Sequence, residues 1–119
     1  MIRNADERRA LLQEGVSHLH DRFLRRSLAD AILMREFIEK LRAGDATMLD
    51  EVAHLAHRIC GTGGSLGFTA LSACAMKIEQ IAAAAPQEAA HADLCERLTA
   101  HTLRLEGEIG ILAAAHAIR

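Results

Sequence analysis

The chain has 119 residues, 50% of them hydrophobic and only 3% aromatic, and its formal net charge is −2. This length suits one domain with one hydrophobic core and is too short for two, so we expect a single domain over residues 1–119. The charge argues against nucleic-acid binding and against a polybasic membrane surface. Since no apolar run approaches a membrane span or a signal peptide, we expect a cytoplasmic protein that does not bind a membrane.

The composition predicts an all-α protein, because Ala and Leu dominate it and both favour helices. Asn4 and Glu7 have the spacing of a capping box and predict a short first helix, and Gly15 marks either its end or a kink. A second, longer helix follows and ends at Gly44. Its predicted apolar face, in steps of three and four residues, consists of Leu24, Leu28, Ala31, Met34, Ile38 and Leu41.

The second half of the chain predicts three more helices. The third helix ends at Gly67 and has the most regular apolar face, which consists of Leu49, Val52, Ala56, Ile59, Gly63 and Leu66. Thr69 begins a fourth helix, and Pro86, the only proline, breaks the chain and suits the first turn of a fifth. One short and four longer amphipathic helices predict an antiparallel four-helix bundle with a short additional N-terminal helix.

His57 lies on the third helix but away from its apolar face. At about 100° per residue, its side chain points roughly 140° from the centre of that face, towards solvent or a partner. Gly61 and Gly64 follow on the same side of the helix and leave space around the imidazole. Each glycine inside a helix costs about 1 kcal/mol relative to alanine, so we interpret both as positions kept small for access to His57. Gly63, on the apolar face, instead predicts a close contact between helices.

The segment from Leu55 to Phe68, LAHRICGTGGSLGF, resembles the histidine phosphotransfer (HPt) family. The residues that match the motif of that family, in order, are Ala56, His57, Ile59, Gly61, Thr62, Gly63, Leu66 and Gly67. The resemblance extends to Phe23 and Leu24, to the 43–45 turn, and to residues 71–79.

The resemblance implies a phosphorelay protein in which His57 accepts a phosphoryl group from an aspartate of a response-regulator receiver domain and passes it to another. It also implies that the receiver domain brings the aspartyl phosphate, Mg²⁺ and a catalytic lysine, so we expect this chain to need no cofactor and no metal of its own. A neutral imidazole nitrogen is a competent nucleophile at about pH 7. The sequence has no Walker loop and no glycine-rich nucleotide cradle beside a strand, so we expect neither ATP binding nor kinase activity. We expect a monomer, with a hybrid sensor kinase as a further candidate partner.

The residues around His57 are predicted to contact the phosphoryl group or the receiver domain. The family often has lysine three positions after the histidine, where this chain has Cys60, which carries no positive charge. Arg58 and Lys77 are the candidates to supply that charge, although Arg58 lies about 100° around the helix from His57. The predicted set consists of His54, Arg58, Cys60, Gly61, Gly64, Lys77 and Glu79.

Two alternatives come from other functional classes. Glu51 with His54, and Glu88 with His91, match the Glu-x-x-His signature of di-iron helical bundles. Glu51 and His54 are predicted to point away from the apolar face, which argues against convergence on a bundle centre. The other alternative is an adaptor that keeps the helical bundle but transfers no phosphoryl group, and Cys60 is the feature in its favour.

Overall fold

The computed structural model describes residues 4–88 and 91–117, with side chains at 4–84 and 91–116. The elements are α1 (Ala5–Arg42), α2 (Met48–Ser65), α3 (Thr69–Glu88) and α4 (His91–Ala117). Over these ranges every element is a helix and there is no strand, as the composition predicts. None of these helices is both long enough and apolar enough to cross a membrane.

The four helices form an antiparallel bundle in which each helix packs against two others. α1 and α3 each contact α2 and α4, while the diagonal pairs make no contact within the described residues. Two contacts along each pair show the antiparallel directions. Between α1 and α2, Arg58 meets Asp30, and Gly63, later on α2, lies beside Phe23, earlier on α1. Between α1 and α4, Glu106 meets Arg35, and His91, earlier on α4, meets Arg42, later on α1. The predicted four-helix bundle is therefore confirmed.

One cluster of buried side chains from all four helices forms the core. Its largest fully buried members are Met34, Ile38, Ile59, Leu71, Ile78, Leu98, Leu105 and Ile109. Burying a side chain of this size contributes about 1.5–3 kcal/mol, so these residues dominate the stability of the bundle. The predicted apolar face of α1 is wrong at Leu28, which is 41% exposed, while Ser27 and Asp30 are buried beside the core.

Two glycines end helices in the way the sequence predicts. Gly44 and Gly67 have φ values of 113° and 87°, in the left-handed region that favours glycine. After α1, the Asp45 amide donates to the Lys40 carbonyl oxygen, and after α2 the Phe68 amide donates to the Gly63 carbonyl oxygen. These are Schellman bonds, which satisfy the last carbonyl groups of each helix and turn the chain back on itself.

The predicted short N-terminal helix is wrong, because α1 runs without a break through Gly15 for 38 residues. Its N-terminus is where the capping box predicts it, since the Asn4 Oδ1 accepts a hydrogen bond of 2.8 Å from the Glu7 amide. One glycine costs a helix only about 1 kcal/mol, and the flanking Ala, Leu, Gln and Glu residues favour helix strongly enough to continue it. The N-terminal turns of α1 extend beyond the end of α2, because Phe23 already contacts Gly63 in the last turns of α2.

The prediction that Pro86 begins a fifth helix is also wrong. α3 continues through Pro86 to Glu88, and the last helix begins at His91. A proline removes one helical hydrogen bond, but its fixed φ is compatible with a helix. Ile81 and Ala82, just before it, are buried in the core, and this packing holds the helical path.

Candidate functional site

His57 is held at the surface of α2 by the packing of the opposite side of that helix. Val52, Ala56, Ile59 and Gly63 are buried against the other helices. The His57 side chain, on the far side of α2, is 76% exposed. The imidazole is thus fixed at its backbone by a rigid helix and open to solvent at its ring, as helical periodicity predicts.

A carboxylate from α3 orients the ring of His57. The Nδ1 atom lies 2.9 Å from Oε2 and 3.2 Å from Oε1 of Glu79. A carboxylate oxygen accepts hydrogen bonds, so Nδ1 carries the proton and donates it. The lone pair of the neutral ring is then on Nε2, which has no hydrogen-bond partner within residues 4–84 and 91–116. The pair therefore presents one ring nitrogen as an accessible nucleophile.

The three glycines that follow His57 serve different purposes. A Cβ at Gly61 would meet nothing within 4 Å, and one at Gly64 would meet only the Ser72 Oγ at 3.4 Å. A Cβ at Gly63 would lie 3.2 Å from Leu71 Cδ2 and 3.3 Å from Phe23 Cζ. Gly63 permits close packing of α2 on α1 and α3, whereas Gly61 and Gly64 leave the surface beside His57 low.

Cys60 lies between α2 and α3 and is half-buried. Its Sγ is 3.4 Å from the Ser72 Oγ, and the Ser72 hydroxyl donates a hydrogen bond of 2.7 Å to the Cys60 carbonyl oxygen. The thiol therefore packs against α3, one helical turn from His57.

The two predicted sources of positive charge face away from His57. Arg58 Nη2 lies 2.9 Å from Asp30 Oδ2, so its guanidinium is paired towards α1. Lys77 lies near His101 of α4, where its charge helps to lower the pKa of that histidine. Glu79, which points towards α2, is roughly 200° around α3 from Lys77. The interpretation that Arg58 or Lys77 curls back to His57 therefore has no support in these contacts.

His54 is exposed on α2, one turn before His57. Glu51 is exposed too, and His91 lies with Nε2 3.3 Å from the Arg42 carbonyl oxygen, while the Glu88 side chain is outside the described residues. Within the described residues no three His, Cys, Asp or Glu side chains come together in a way that could hold a metal ion. The described members of the two Glu-x-x-His pairs do not converge on one centre.

Sequence reasoning missed two residues at the site, Asp30 and Ser72. Asp30 fixes Arg58, and Ser72 fixes the Cys60 turn of α2 against α3. The signal for Asp30 was a carboxylate at a position that helical spacing places beside the core of α1. Ser72 gave no comparable signal, because a serine next to a helix N-terminus is common at exposed positions as well.

The arrangement combines an exposed imidazole, oriented by a carboxylate, with a low surface around it. A family model described as Hpt domain matches residues 9–115 of the chain. No curated protein and no solved structure matches the chain significantly.

Proposed function

The chain belongs to the Hpt domain family, and we propose that it carries a phosphoryl group on His57 between receiver-domain aspartates of a phosphorelay. The observation that carries the proposal is the His57–Glu79 pair, in which Nδ1 is engaged at 2.9 Å and a ring that is 76% exposed leaves Nε2 open to a partner. A rigid helix, an oriented ring and glycine neighbours are what a nucleophile needs when the rest of the catalytic machinery arrives with its partner.

The transfer step follows from the positions of the proton, on Nδ1, and of the lone pair, on Nε2. The Nε2 lone pair attacks the phosphorus of the aspartyl phosphate, an N–P bond forms, and the P–O bond to the aspartate breaks. The aspartate leaves as a carboxylate with the electron pair of that bond. The ring keeps its proton on Nδ1 and becomes positively charged, and the Glu79 carboxylate beside that nitrogen stabilises it. The reverse of this step passes the group to the next aspartate.

The partner supplies what the chain lacks for this chemistry. Phosphoryl transfer depends on positioned cations and in-line geometry, and a receiver domain holds Mg²⁺ and a lysine at its aspartate. The nearest arginine to His57 along α2, Arg58, is engaged with Asp30 and leaves charge stabilisation to the partner. The alternative, an adaptor without transfer, shares the fold and predicts no phosphohistidine.

The test is to substitute His57 and, as the matched control, to substitute His54, because both histidines are exposed on α2 one turn apart. We expect His57→Gln to abolish acid-labile, base-stable labelling from a phosphorylated receiver domain and to leave the helical circular dichroism unchanged. His54→Gln should still take up the label on His57. Loss of label in His54→Gln but not in His57→Gln would show that the nucleophile is misassigned, and an unlabelled wild type would favour the adaptor.

A further inference from the structure

A groove between α1 and α2 carries an unusual concentration of positive charge. Its volume is about 580 Å³, and Arg22, Arg25, Arg26, Arg58 and Asp30 line it. We call these five residues and the space between them the basic groove. Four arginines face a single carboxylate there, in a chain whose formal net charge is −2. The groove is therefore positive although the chain as a whole is slightly acidic.

Most of this charge is uncompensated. Arg58 is paired with Asp30 at 2.9 Å. Arg22, Arg25 and Arg26 are exposed on α1 and have no ion-pair partner within residues 4–84 and 91–116. The floor between them is apolar, since Phe23 and Ile59 also line the groove. A concave surface with an apolar floor and three unpaired guanidinium groups is suited to bind the acidic surface of a protein.

The basic groove lies directly beside His57. Arg58 and Thr62, which line it, are the residues that follow His57 and Gly61 on α2, about 100° further around the helix towards α1. Glu79 lies on the other side of His57, on α3. The surroundings of the nucleophile are thus asymmetric, positive on the α1 side and negative on the α3 side.

From this asymmetry we infer that the basic groove docks the acidic rim around the phosphorylated aspartate of the receiver domain and sets the orientation in which it meets His57. The inference rests on the proposed function. Mg²⁺ is bound by carboxylate oxygens, so the surface that a phosphorylated, Mg²⁺-binding aspartate presents is rich in carboxylates. Such a surface is attracted by the arginines and repelled by Glu79, which favours one of the possible rotations about His57.

The experiment compares two double charge reversals that change the net charge equally. Arg22→Glu/Arg26→Glu alters the basic groove, and Arg97→Glu/Arg104→Glu alters α4, which makes no contact with α2 in the described residues. The probe is a receiver domain charged with acetyl phosphate and Mg²⁺, chosen from a panel as the fastest donor to the wild-type chain. Phosphoramidate, a small donor that needs no docking, labels His57 in parallel.

We expect the groove variant to accept the phosphoryl group about tenfold more slowly than the wild type at low salt, with the difference shrinking at high salt. The α4 variant should change less than twofold, and phosphoramidate should label all three proteins equally. Equal slowing in both variants, or none in the groove variant, would overturn the inference and leave the proposed function intact. A wild-type chain that phosphoramidate labels but no receiver domain phosphorylates would overturn both. If the groove variant unfolds, Arg22→Gln/Arg26→Gln replaces it, with about threefold slowing expected.

Discussion

The pairing of His57 with Glu79 has two separable effects on phosphoryl transfer. The hydrogen bond from Nδ1 fixes the tautomer and the ring orientation, and the negative charge of the carboxylate stabilises the ring once it is phosphorylated. The two side chains are 76% and 35% exposed, so water and salt screen the charge effect. Orientation is expected to govern the rate, and charge to govern the equilibrium.

Substitutions at Glu79 separate these effects. Glu79→Gln keeps an oxygen that accepts from Nδ1 but removes the charge, so the transfer equilibrium should move away from phosphohistidine by about two- to fivefold, corresponding to about 0.5–1 kcal/mol. Glu79→Ala also frees the ring and should slow the forward rate as well. The measurements are the ratio of phosphorylated chain to phosphorylated receiver at equilibrium and the rate of approach to it. The control is Glu51→Gln, which removes an exposed carboxylate elsewhere on α2. If the Glu79 variants matched this control in both measurements, Glu79 would neither orient His57 nor stabilise its phosphorylated form.

Within α2, the glycines show how one helix combines packing with access. Gly63 lets the backbone approach Leu71 and Phe23, and Gly61 leaves open space one turn from His57. Both lower the intrinsic stability of the helix by about the same amount, so their structural value differs only through their surroundings.

Alanine substitutions at Gly61 and Gly63 should change the free energy of unfolding in opposite directions. Gly61→Ala adds a methyl group to open space and should stabilise the protein by up to about 1 kcal/mol. Gly63→Ala places a Cβ 3.2 Å from Leu71 and 3.3 Å from Phe23, both buried, and the overpacking of about 1–3 kcal/mol should exceed the gain in helix propensity. Urea unfolding followed by circular dichroism measures both free energies of unfolding. If Gly63→Ala were as stable as Gly61→Ala, the close approach would not be what requires glycine.

Helix boundaries and faces differ in how far the sequence predicts them. The outward direction of His57 follows from helical period alone, and Gly44 and Gly67 end helices because positive φ suits glycine. Gly15 and Pro86 misled the prediction because each imposes only a local penalty, of about 1 and about 3 kcal/mol. The strong helix formers around Gly15 and the buried residues before Pro86 offset these penalties, so both helices continue. The partner of Arg58 could not be predicted, since it depends on the rotation of α1 against α2.

Across the whole bundle, two groups of positive side chains lie on different faces, although the net charge is −2. The α1–α2 face carries the basic groove, and Arg104, Lys77 and Arg97 lie around the half-buried His101 on the α3–α4 face. Burial lowers the pKa of His101, and the charges of Arg104, Lys77 and Arg97 lower it further. The folded environment therefore favours the neutral form of His101.

The stability of the bundle should consequently fall as the pH is lowered. The unfolded chain protonates His101 near its ordinary pKa of about 6.5, but the folded chain does so only at lower pH, so between these two values the unfolded state binds more protons. Stability is then fully present above about pH 6.5 and is progressively lost as the pH falls towards the lowered pKa of the folded state. Urea midpoints at about pH 8 and about pH 5 measure this loss, and His101→Gln should reduce it, because glutamine takes up no proton. Lys77→Gln should reduce it less, because it removes one charge and leaves the burial, which is the larger cause. An unchanged pH dependence in His101→Gln would show that other groups control the acid stability of the bundle.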